Sequence, residues 1–112
     1  MTAALATGVT TVHDVPERNR FEIEVDGALV GFAQYRRVDG TIAFVHTEID
    51  RGHEGAGLGG ALISAAFVEA RRRGDRILPF CPFVRSYLQR HPEYVDLVPE
   101  ERRSAFGLQA DG

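Results

Sequence analysis

The chain of 112 residues contains no lysine and no tryptophan, and it has a single cysteine and a single methionine. One cysteine cannot form an internal disulfide, so the sequence favours a reducing compartment. We recognise no signal peptide and no apolar segment long enough to span a membrane, and therefore expect a cytoplasmic protein without a membrane partner. The absence of lysine also excludes the P-loop, whose Gly-Lys-Ser/Thr signature requires that residue.

All 13 basic residues are arginines, and with 16 acidic residues the formal net charge is -3. This balance does not favour nucleic acid as a partner, because non-specific binding needs a basic surface. The run Arg71-Arg72-Arg73 before Gly74 is typical of the last turn of a helix, where cations are stabilised. Arginine in place of lysine, together with abundant alanine and glycine, indicates a GC-rich bacterial genome.

The length and a hydrophobic content of 44% are sufficient for one core and predict a single small domain. Residues 1–12 are small and polar without periodicity, and we expect them to form a flexible leader. The predicted domain spans residues 13–98. Residues 99–112 are predicted to be a C-terminal tail with a helical turn, and the protein to be a monomer or a weak homodimer.

Three segments are predicted to be β-strands: residues 20–25, 29–36 and 41–49. The first segment shows the clearest alternation of apolar and polar residues, with Phe21, Ile23 and Val25 on one face. Asp26-Gly27 and Asp39-Gly40 separate the segments and are typical of tight hairpin turns. We therefore expect an antiparallel meander.

A helix is predicted from about Gly57 to Arg73, and its apolar residues cover much of its circumference, which indicates that it packs under a sheet. A short strand at residues 76–80 follows. It contains Pro79, which has no N–H for a ladder and should separate this strand from a neighbour. Pro82 suits the first position of a second helix, so Cys81 is its predicted N-cap.

The segment between the third strand and the first helix reads Glu54-Gly55-Ala56-Gly57-Leu58-Gly59-Gly60. Glycines let backbone N–H groups approach an anion, and the N-terminus of a helix adds unpaired N–H groups and the positive end of its dipole. The segment therefore predicts a site for a diphosphate-bearing cofactor. Gly55-x-Gly57-x-x-Gly60 also fits the dinucleotide-binding spacing, but the roughly 35 to 40 residues after the helix are too few for that domain.

The order of strand, strand, strand, glycine loop with helix, strand and helix resembles the second half of the GNAT acetyltransferase fold. The loop matches the family's Gln/Arg-x-x-Gly-x-Gly/Ala signature except at Glu54. A small single-domain subgroup is also similar in three further stretches: His46-Thr47-Glu48-Ile49, Cys81-Pro82-Phe83-Val84-Arg85-Ser86-Tyr87 and His91-Pro92-Glu93-Tyr94. The resemblance covers about residues 18–98 and implies an α/β fold with a mixed, mainly antiparallel sheet and two main helices.

The resemblance implies transfer of an acetyl group from acetyl-CoA to an unidentified amine, and the short front half suits a protein or peptide amine. The diphosphate is expected on the glycine loop and the pantetheine arm along the end of the third strand. The implied acetyl-CoA-binding residues are Thr47, Ile49, Glu54, Gly55, Ala56, Gly57, Leu58, Gly59 and Gly60. Glu54 is expected to face away from the diphosphate, and Arg51 or His53 to supply positive charge.

Four residues are candidates for catalysis: Cys81, Tyr87, His46 and Glu48. The N-terminus of a helix stabilises a thiolate, so Cys81 either accepts the acetyl group covalently or lines the thioester channel while the amine attacks directly. Tyr87 lies near where the family has a tyrosine that protonates the departing CoA thiolate, although it also fits the apolar stripe of the second helix. His46 or Glu48 is a candidate base for the incoming ammonium.

No metal site is predicted, because His13, His46, His53 and His91 lack ligand spacing. Two other functions stay open at this point: a non-catalytic acyl-CoA-binding or interaction module, and a simple phosphate or nucleotide binder. Turnover of acetyl-CoA to free thiol separates the enzyme from the module. Equal competition by ATP and CoA would identify the nucleotide binder.

Overall fold

Five strands form one sheet in the computed structural model, which describes residues 8–108. They lie side by side in chain order: β1 (Thr10–Val15), β2 (Arg20–Val25), β3 (Ala28–Val38), β4 (Thr41–Ile49) and β5 (Arg76–Pro79). Neighbours from β1 to β4 pair antiparallel, whereas β4 and β5 are parallel. The two α-helices are α1 (Leu58–Arg73) and α2 (Pro82–Arg90). The predicted fold class is thus confirmed.

The two hairpins that join β2 to β3 and β3 to β4 form as predicted. Asp26 and Gly27 have φ angles of 53° and 82°, and Asp39 and Gly40 have φ angles of 48° and 76°. Positive φ at both central residues is the type I′ turn, whose twist matches that of the strands it joins. Because these turns are tight, β3 extends beyond its predicted bounds at both ends.

The edge strand β1 was not predicted from the sequence. The expectation of a flexible leader to residue 12 is wrong for residues 10–12, which pair with the end of β2, and residues 1–7 lie outside the described residues. An edge strand with much of its surface exposed shows little apolar alternation, which explains the error. Asp14 fixes the strand to the domain, because it accepts a hydrogen bond from the Tyr35 hydroxyl at 2.5 Å and pairs with Arg73 at 2.8 Å.

Both α-helices pack on the same face of the sheet. The ring of Phe67 on α1 lies 5.9 Å from that of Phe44 on β4 and 5.8 Å from that of Tyr87 on α2, measured between centroids. The largest buried side chains of the core come from both layers: Phe21, Ile23, Tyr35, Ile42, Phe44, Leu62, Ile63, Phe67, Ile77, Val84 and Leu88. Neither helix covers the opposite face of the sheet, which we call the open face.

β5 pairs with β4 over four residues only, from Thr41 opposite Arg76 to Phe44 opposite Pro79. Pro79 is the central residue of a γ-turn in which the N–H of Phe80 donates to the carbonyl of Leu78 at 3.1 Å instead of to β4. The next bond to β4 comes from the N–H of Cys81, which donates to the carbonyl of Phe44 at 2.8 Å. Cys81 is then the N-cap of α2, as predicted. Within the described part of the chain, β4 continues from residue 45 to 49 without a strand on this side.

A β-bulge changes the direction in which the side chains of β4 point. Tyr35 pairs with Phe44 and Gln34 with His46, so Val45 has no partner on β3. Phe44 contacts Phe67 and Thr47 contacts Cys81, both on the helix side. Val45 and His46 therefore both point to the open face, where their side chains are exposed.

The predicted end of α1 is also confirmed, since Gly74 caps it with a φ of 77°. Each arginine of its last turn has a carboxylate partner: Arg71 pairs with Asp96, Arg72 with Glu69, and Arg73 with Asp14 and Glu69. These contacts agree with a structural role for the arginine run. No helix among residues 8–108 is both long enough and apolar enough to cross a membrane.

The C-terminal tail packs against the domain. It contains two 3₁₀ turns, Glu100–Arg102 and Ser104–Phe106, where a single helical turn was expected. Phe106 and Leu108 are buried, and the Phe106 ring lies 5.3 Å from that of Phe80. The packed body therefore extends beyond residue 98, up to the end of the described chain.

The contact between Tyr35 and Asp14 predicts a loss of stability in alkali. Burial, with the hydrogen bond to Asp14, raises the pKa of Tyr35 to about 12, whereas an unfolded tyrosine has a pKa of about 10. Between these values the unfolded chain releases the proton and the native chain keeps it. The free energy of unfolding should therefore fall by roughly 2 to 3 kcal/mol as the pH rises through this window.

Denaturant unfolding of the wild type and of Tyr35→Phe across this pH range measures the effect. The variant has no hydroxyl at this position, so its decline should be smaller by that amount. Parallel curves for the two proteins would contradict the prediction.

Candidate functional site

A cleft of about 430 Å³ lies between the end of β4 and the N-terminus of α1. It is lined by Thr47, Ile49, His53, Glu54, Gly55, Gly57, Leu58, Gly59, Gly60 and Phe83. Of the residues that the sequence analysis assigned to acetyl-CoA binding, only Ala56 lies outside this lining. The structure thus brings together the glycine loop and the strand end in a single concave surface.

The backbone of the glycine loop exposes a series of N–H groups. Gly55 and Gly57 have φ angles of 84° and 77°, which residues with a side chain rarely adopt. Among the described residues, the N–H groups of Gly55, Ala56 and Gly57 donate no hydrogen bond. The first N–H of α1 to bond within the helix is that of Ala61, which donates to Gly57 at 3.1 Å. The N–H groups from Gly55 to Gly60 therefore remain available to an anion.

The lining of the cleft has little charge. Glu54, an exposed residue, belongs to it, and His53 is the one lining residue that can become a cation. The Nδ1 atom of His53 is buried and lacks a hydrogen-bond partner within residues 8–108. Arg51 is exposed and lies outside the lining. Backbone N–H groups and the dipole of α1 are therefore the main attraction for an anion here.

Phe83, in the first turn of α2, forms a wall of the cleft that the sequence analysis did not assign. A Cβ atom at Gly59 would lie 2.6 Å from Cζ of this ring, so the ring rests directly on the backbone of α1. The residue is part of the Cys-Pro-Phe-Val stretch, so a signal for its importance was present in the sequence. His53, the other lining residue outside the assigned binding set, directly precedes the loop motif and is one of the two residues expected to supply positive charge.

Cys81 lies behind the cleft rather than in its lining. Its side chain is only 4% exposed, and its Sγ atom lies 3.4 Å from Oγ1 of Thr47, which does line the cleft. The strand end therefore separates the thiol from the open space. A substrate in the cleft would meet the Thr47 hydroxyl before it met the sulfur atom.

Tyr87 packs against α1 from the second helix. Its ring stacks on His91 at 4.2 Å and meets the edge of Phe67, and a Cβ atom at Gly60 would lie 3.7 Å from it. The residue is 7% exposed, and its hydroxyl, which bonds to no other described residue, is not among the fully buried unpaired atoms and therefore reaches solvent. This position suits both interpretations that the sequence left open, because the ring fills the core and the hydroxyl proton is uncommitted.

His46 and Glu48 lie together on the open face. The His46 Nε2 atom is 2.8 Å from Oε2 of Glu48, and both side chains are more than half exposed. The pair stands on the same strand as Thr47 but points to the opposite face. The candidate base and the candidate thiol are therefore on different faces of the sheet.

The described residues contain no metal site. No group of three histidine, cysteine, aspartate or glutamate side chains within residues 8–108 could hold a metal ion. The four histidines lie on β1, on β4, in the turn before the glycine loop and after α2.

Comparisons with known proteins agree with this geometry. The model of the family described as GCN5-related N-acetyl-transferase matches residues 20–97. A GCN5-like protein of Staphylococcus aureus is 25% identical, with a TM-score of 0.57 over 80% of this chain and 87% of its own. A GNAT-family protein of Desulfovibrio desulfuricans is 20% identical and shares the fold, with a TM-score of 0.50 over 64% of this chain and 52% of its own. No curated protein matches the chain significantly.

The contact between Gly59 and Phe83 predicts different effects for two neighbouring alanine substitutions. Gly60→Ala should stabilise the protein by up to about 1 kcal/mol, because alanine is the better helix former and the new Cβ atom has ordinary contacts. Gly59→Ala should lose this gain, because the Phe83 ring must move. Denaturant unfolding of both variants measures the difference.

The same two substitutions, Gly59→Ala and Gly60→Ala, made in the Phe83→Ala protein show whether the Phe83 ring causes the difference in stability. Without the ring, the two alanine substitutions should change the free energy of unfolding equally. A difference that persists in that background would show that the ring is not responsible.

Proposed function

We propose that this chain, which belongs to the GCN5-related N-acetyltransferase family, transfers an acetyl group from acetyl-CoA to an amine. The observation that carries the proposal is the cleft, where a loop of unbonded N–H groups adjoins a strand edge without a partner. A loop of this kind suits a diphosphate. A free strand edge suits an extended arm that contains amide groups.

In this proposal the diphosphate of acetyl-CoA accepts hydrogen bonds from the backbone of residues 55–60. The pantetheine arm then lies along β4 beyond Phe44, beside Thr47 and Ile49, and occupies the side that β5 leaves open. The thioester at the end of the arm comes to the place where β4 and β5 separate. This place adjoins the bulge at Val45 and the N-terminus of α2.

The reaction requires an amine in its neutral form, since an ammonium has no lone pair. The nitrogen attacks the carbonyl carbon of the acetyl group, a C–N bond forms and the C–S bond breaks. The nitrogen loses one proton before the attack and a second after it, the departing thiolate gains one to become free CoA, and the net reaction releases one proton to solvent. We propose that His46, held by Glu48, removes the proton from the incoming ammonium on the open face.

We further infer that the amine attacks directly rather than through an acetylated Cys81. A covalent route needs a thiol that is open to the thioester, but Cys81 is 4% exposed and stands behind Thr47. Its proposed role is to line the thioester channel. Tyr87 is the proposed acid for the departing thiolate, because its hydroxyl proton has no other acceptor among the described residues.

The rival function is binding of an acyl-CoA without turnover. The two functions differ in one measurement, the release of free thiol from acetyl-CoA in the presence of a panel of amines. Release above the rate without protein supports the enzyme. Tight binding of acetyl-CoA without release across the panel would overturn the proposal.

The single cysteine supports a reducing compartment such as the cytoplasm.

The first prediction of this proposal concerns the anion cradle, by which we mean the exposed backbone N–H groups of residues 55–60. Gly57→Asn should weaken acetyl-CoA binding by roughly ten- to a hundredfold, because the new side chain competes with the diphosphate for backbone N–H groups. Asparagine tolerates the positive φ of this position better than other residues, so the fold should persist. Isothermal calorimetry with acetyl-CoA gives the affinity.

The chain offers a matched control at Gly40. This glycine has a φ of 76°, against 77° at Gly57, and equally open surroundings, but it lies in the turn between β3 and β4. Gly40→Asn should retain the wild-type affinity. If Gly57→Asn binds acetyl-CoA as tightly as Gly40→Asn, the loop does not hold the diphosphate.

The second prediction concerns the proton donor. Tyr87→Phe keeps the ring and its packing but loses the hydroxyl, so acetyl-CoA affinity should stay the same while kcat falls by about 10² to 10⁴. Tyr94→Phe is the control, because Tyr94 also packs on Phe67 and its hydroxyl lies 3.5 Å from Ser64. An unchanged kcat in Tyr87→Phe would assign Tyr87 to the core alone.

A further inference from the structure

A second hollow, of about 580 Å³, lies over β3 and reaches the open face. It is lined by Asn19, Gln34, Tyr35, Arg36, Arg37, Val38 and Val45. It is separate from the cleft at the glycine loop, since the two share no lining residue. Nothing in the sequence motifs pointed to it.

The hollow adjoins the His46–Glu48 pair. Gln34 of the hollow is the cross-strand partner of His46, and Val45 directly precedes His46 on the open face. Arg36 lies two residues beyond Gln34 on the same face of β3. Across β4, Arg36 pairs with Ala43, and Val45 of the bulge lies between this pair and His46. A molecule in the hollow therefore lies beside the proposed base.

Arg36 supplies the hollow with a cation that is not neutralised. Within residues 8–108 its guanidinium has no carboxylate partner. The neighbouring arginines are occupied, since Arg37 pairs with Asp75 at 2.8 Å, and both Arg18 and Arg20 bond to Glu22. The planar guanidinium of an arginine binds a carboxylate through two parallel hydrogen bonds.

The remaining lining combines amide and aliphatic groups. Asn19 and Gln34 carry side-chain amides that can donate further hydrogen bonds to an oxygen anion. Val45, which directly precedes His46, is 37% exposed, and Val38, opposite Thr41 at the far end of the hollow, is 65% exposed. An aliphatic group of a ligand would remove the apolar surface of Val45 from water.

We propose that this hollow binds the acceptor, and that the acceptor is a small amine that also carries a carboxylate and an aliphatic group. The carboxylate pairs with Arg36, the aliphatic group covers Val45, and the amine faces His46. This assignment rests on the proposed function, because it names the amine that receives the acetyl group. Proton removal by His46 and acetyl transfer then follow as described above.

Binding of three matched probes to the ¹⁵N-labelled protein tests the assignment by NMR, without acetyl-CoA. L-Leucine has all three groups, L-leucinamide lacks the carboxylate charge, and 3-methylbutylamine lacks the carboxyl group altogether. L-Leucine should shift the backbone resonances of Gln34, Arg36 and Val45, and the other two probes should bind at least about tenfold more weakly. Equal affinities of the three probes, or shifts confined to other regions, would overturn the proposal.

The variant Arg36→Ala tests whether Arg36 is the residue that binds the carboxylate of L-leucine. The affinity for L-leucine should fall by roughly ten- to a hundredfold, because the variant cannot form the charge-assisted pair with the carboxylate. The fold should persist, because the Arg36 side chain is exposed. Arg90→Ala, a second exposed arginine without a carboxylate partner in the described chain, should leave the affinity unchanged. An equal affinity in Arg36→Ala and the wild type contradicts the assignment.

These measurements are independent of the tests of the proposed function. Failure of L-leucine to bind, while acetyl-CoA binds and thiol is released with other amines, would overturn only the choice of acceptor. Failure of acetyl-CoA binding or of thiol release would overturn the acetyltransferase itself. Selective binding of L-leucine through Arg36 would then still establish the hollow as a carboxylate site.

Discussion

The end of pairing between β4 and β5 is the constraint on which the candidate site depends. A γ-turn centred on Pro79 directs the N–H of Phe80 to the carbonyl of Leu78 instead of to β4, and the hydrogen bond from Cys81 to Phe44 is the last backbone bond between the two segments. The chain then enters α2, and β4 runs on alone from residue 45 to 49. The cleft, the position of the thiol and the separation of the strands all follow from this one break in pairing.

The bulge at Val45 determines how the chemical groups are distributed around that break. Without it, the alternation of β4 would place His46 on the same face as Phe44 and bury it under the helices. The extra residue instead turns Thr47 toward Cys81 and leaves His46 and Glu48 on the open face. A group at the sheet edge thus has the Thr47 hydroxyl of the cleft on one side, with the buried thiol behind it, and the exposed imidazole of His46 on the other.

The features that the sequence predicted well depend on local backbone chemistry. The glycine loop, the caps at Cys81 and Gly74 and the break at Pro79 each follow from what one residue can or cannot do with its own backbone. β1 was missed because an exposed edge strand carries little apolar alternation. The contact of Phe83 with Gly59, the bulge and the hollow beside Arg36 depend on how distant segments meet, and a single sequence contains no local signal for that.

The low charge of the cleft makes the rigidity of its backbone more important. With Glu54 in the lining and no arginine there, an anion is attracted by aligned N–H groups, whose effect depends on their direction rather than on a net charge. Gly55 and Gly57 fix that direction through their positive φ angles. Phe83 rests on Gly59 and so links the start of α1 to the start of α2, where Cys81 is the N-cap. The anion cradle and the thiol are therefore held by one continuous contact, and a displacement of either helix would change both.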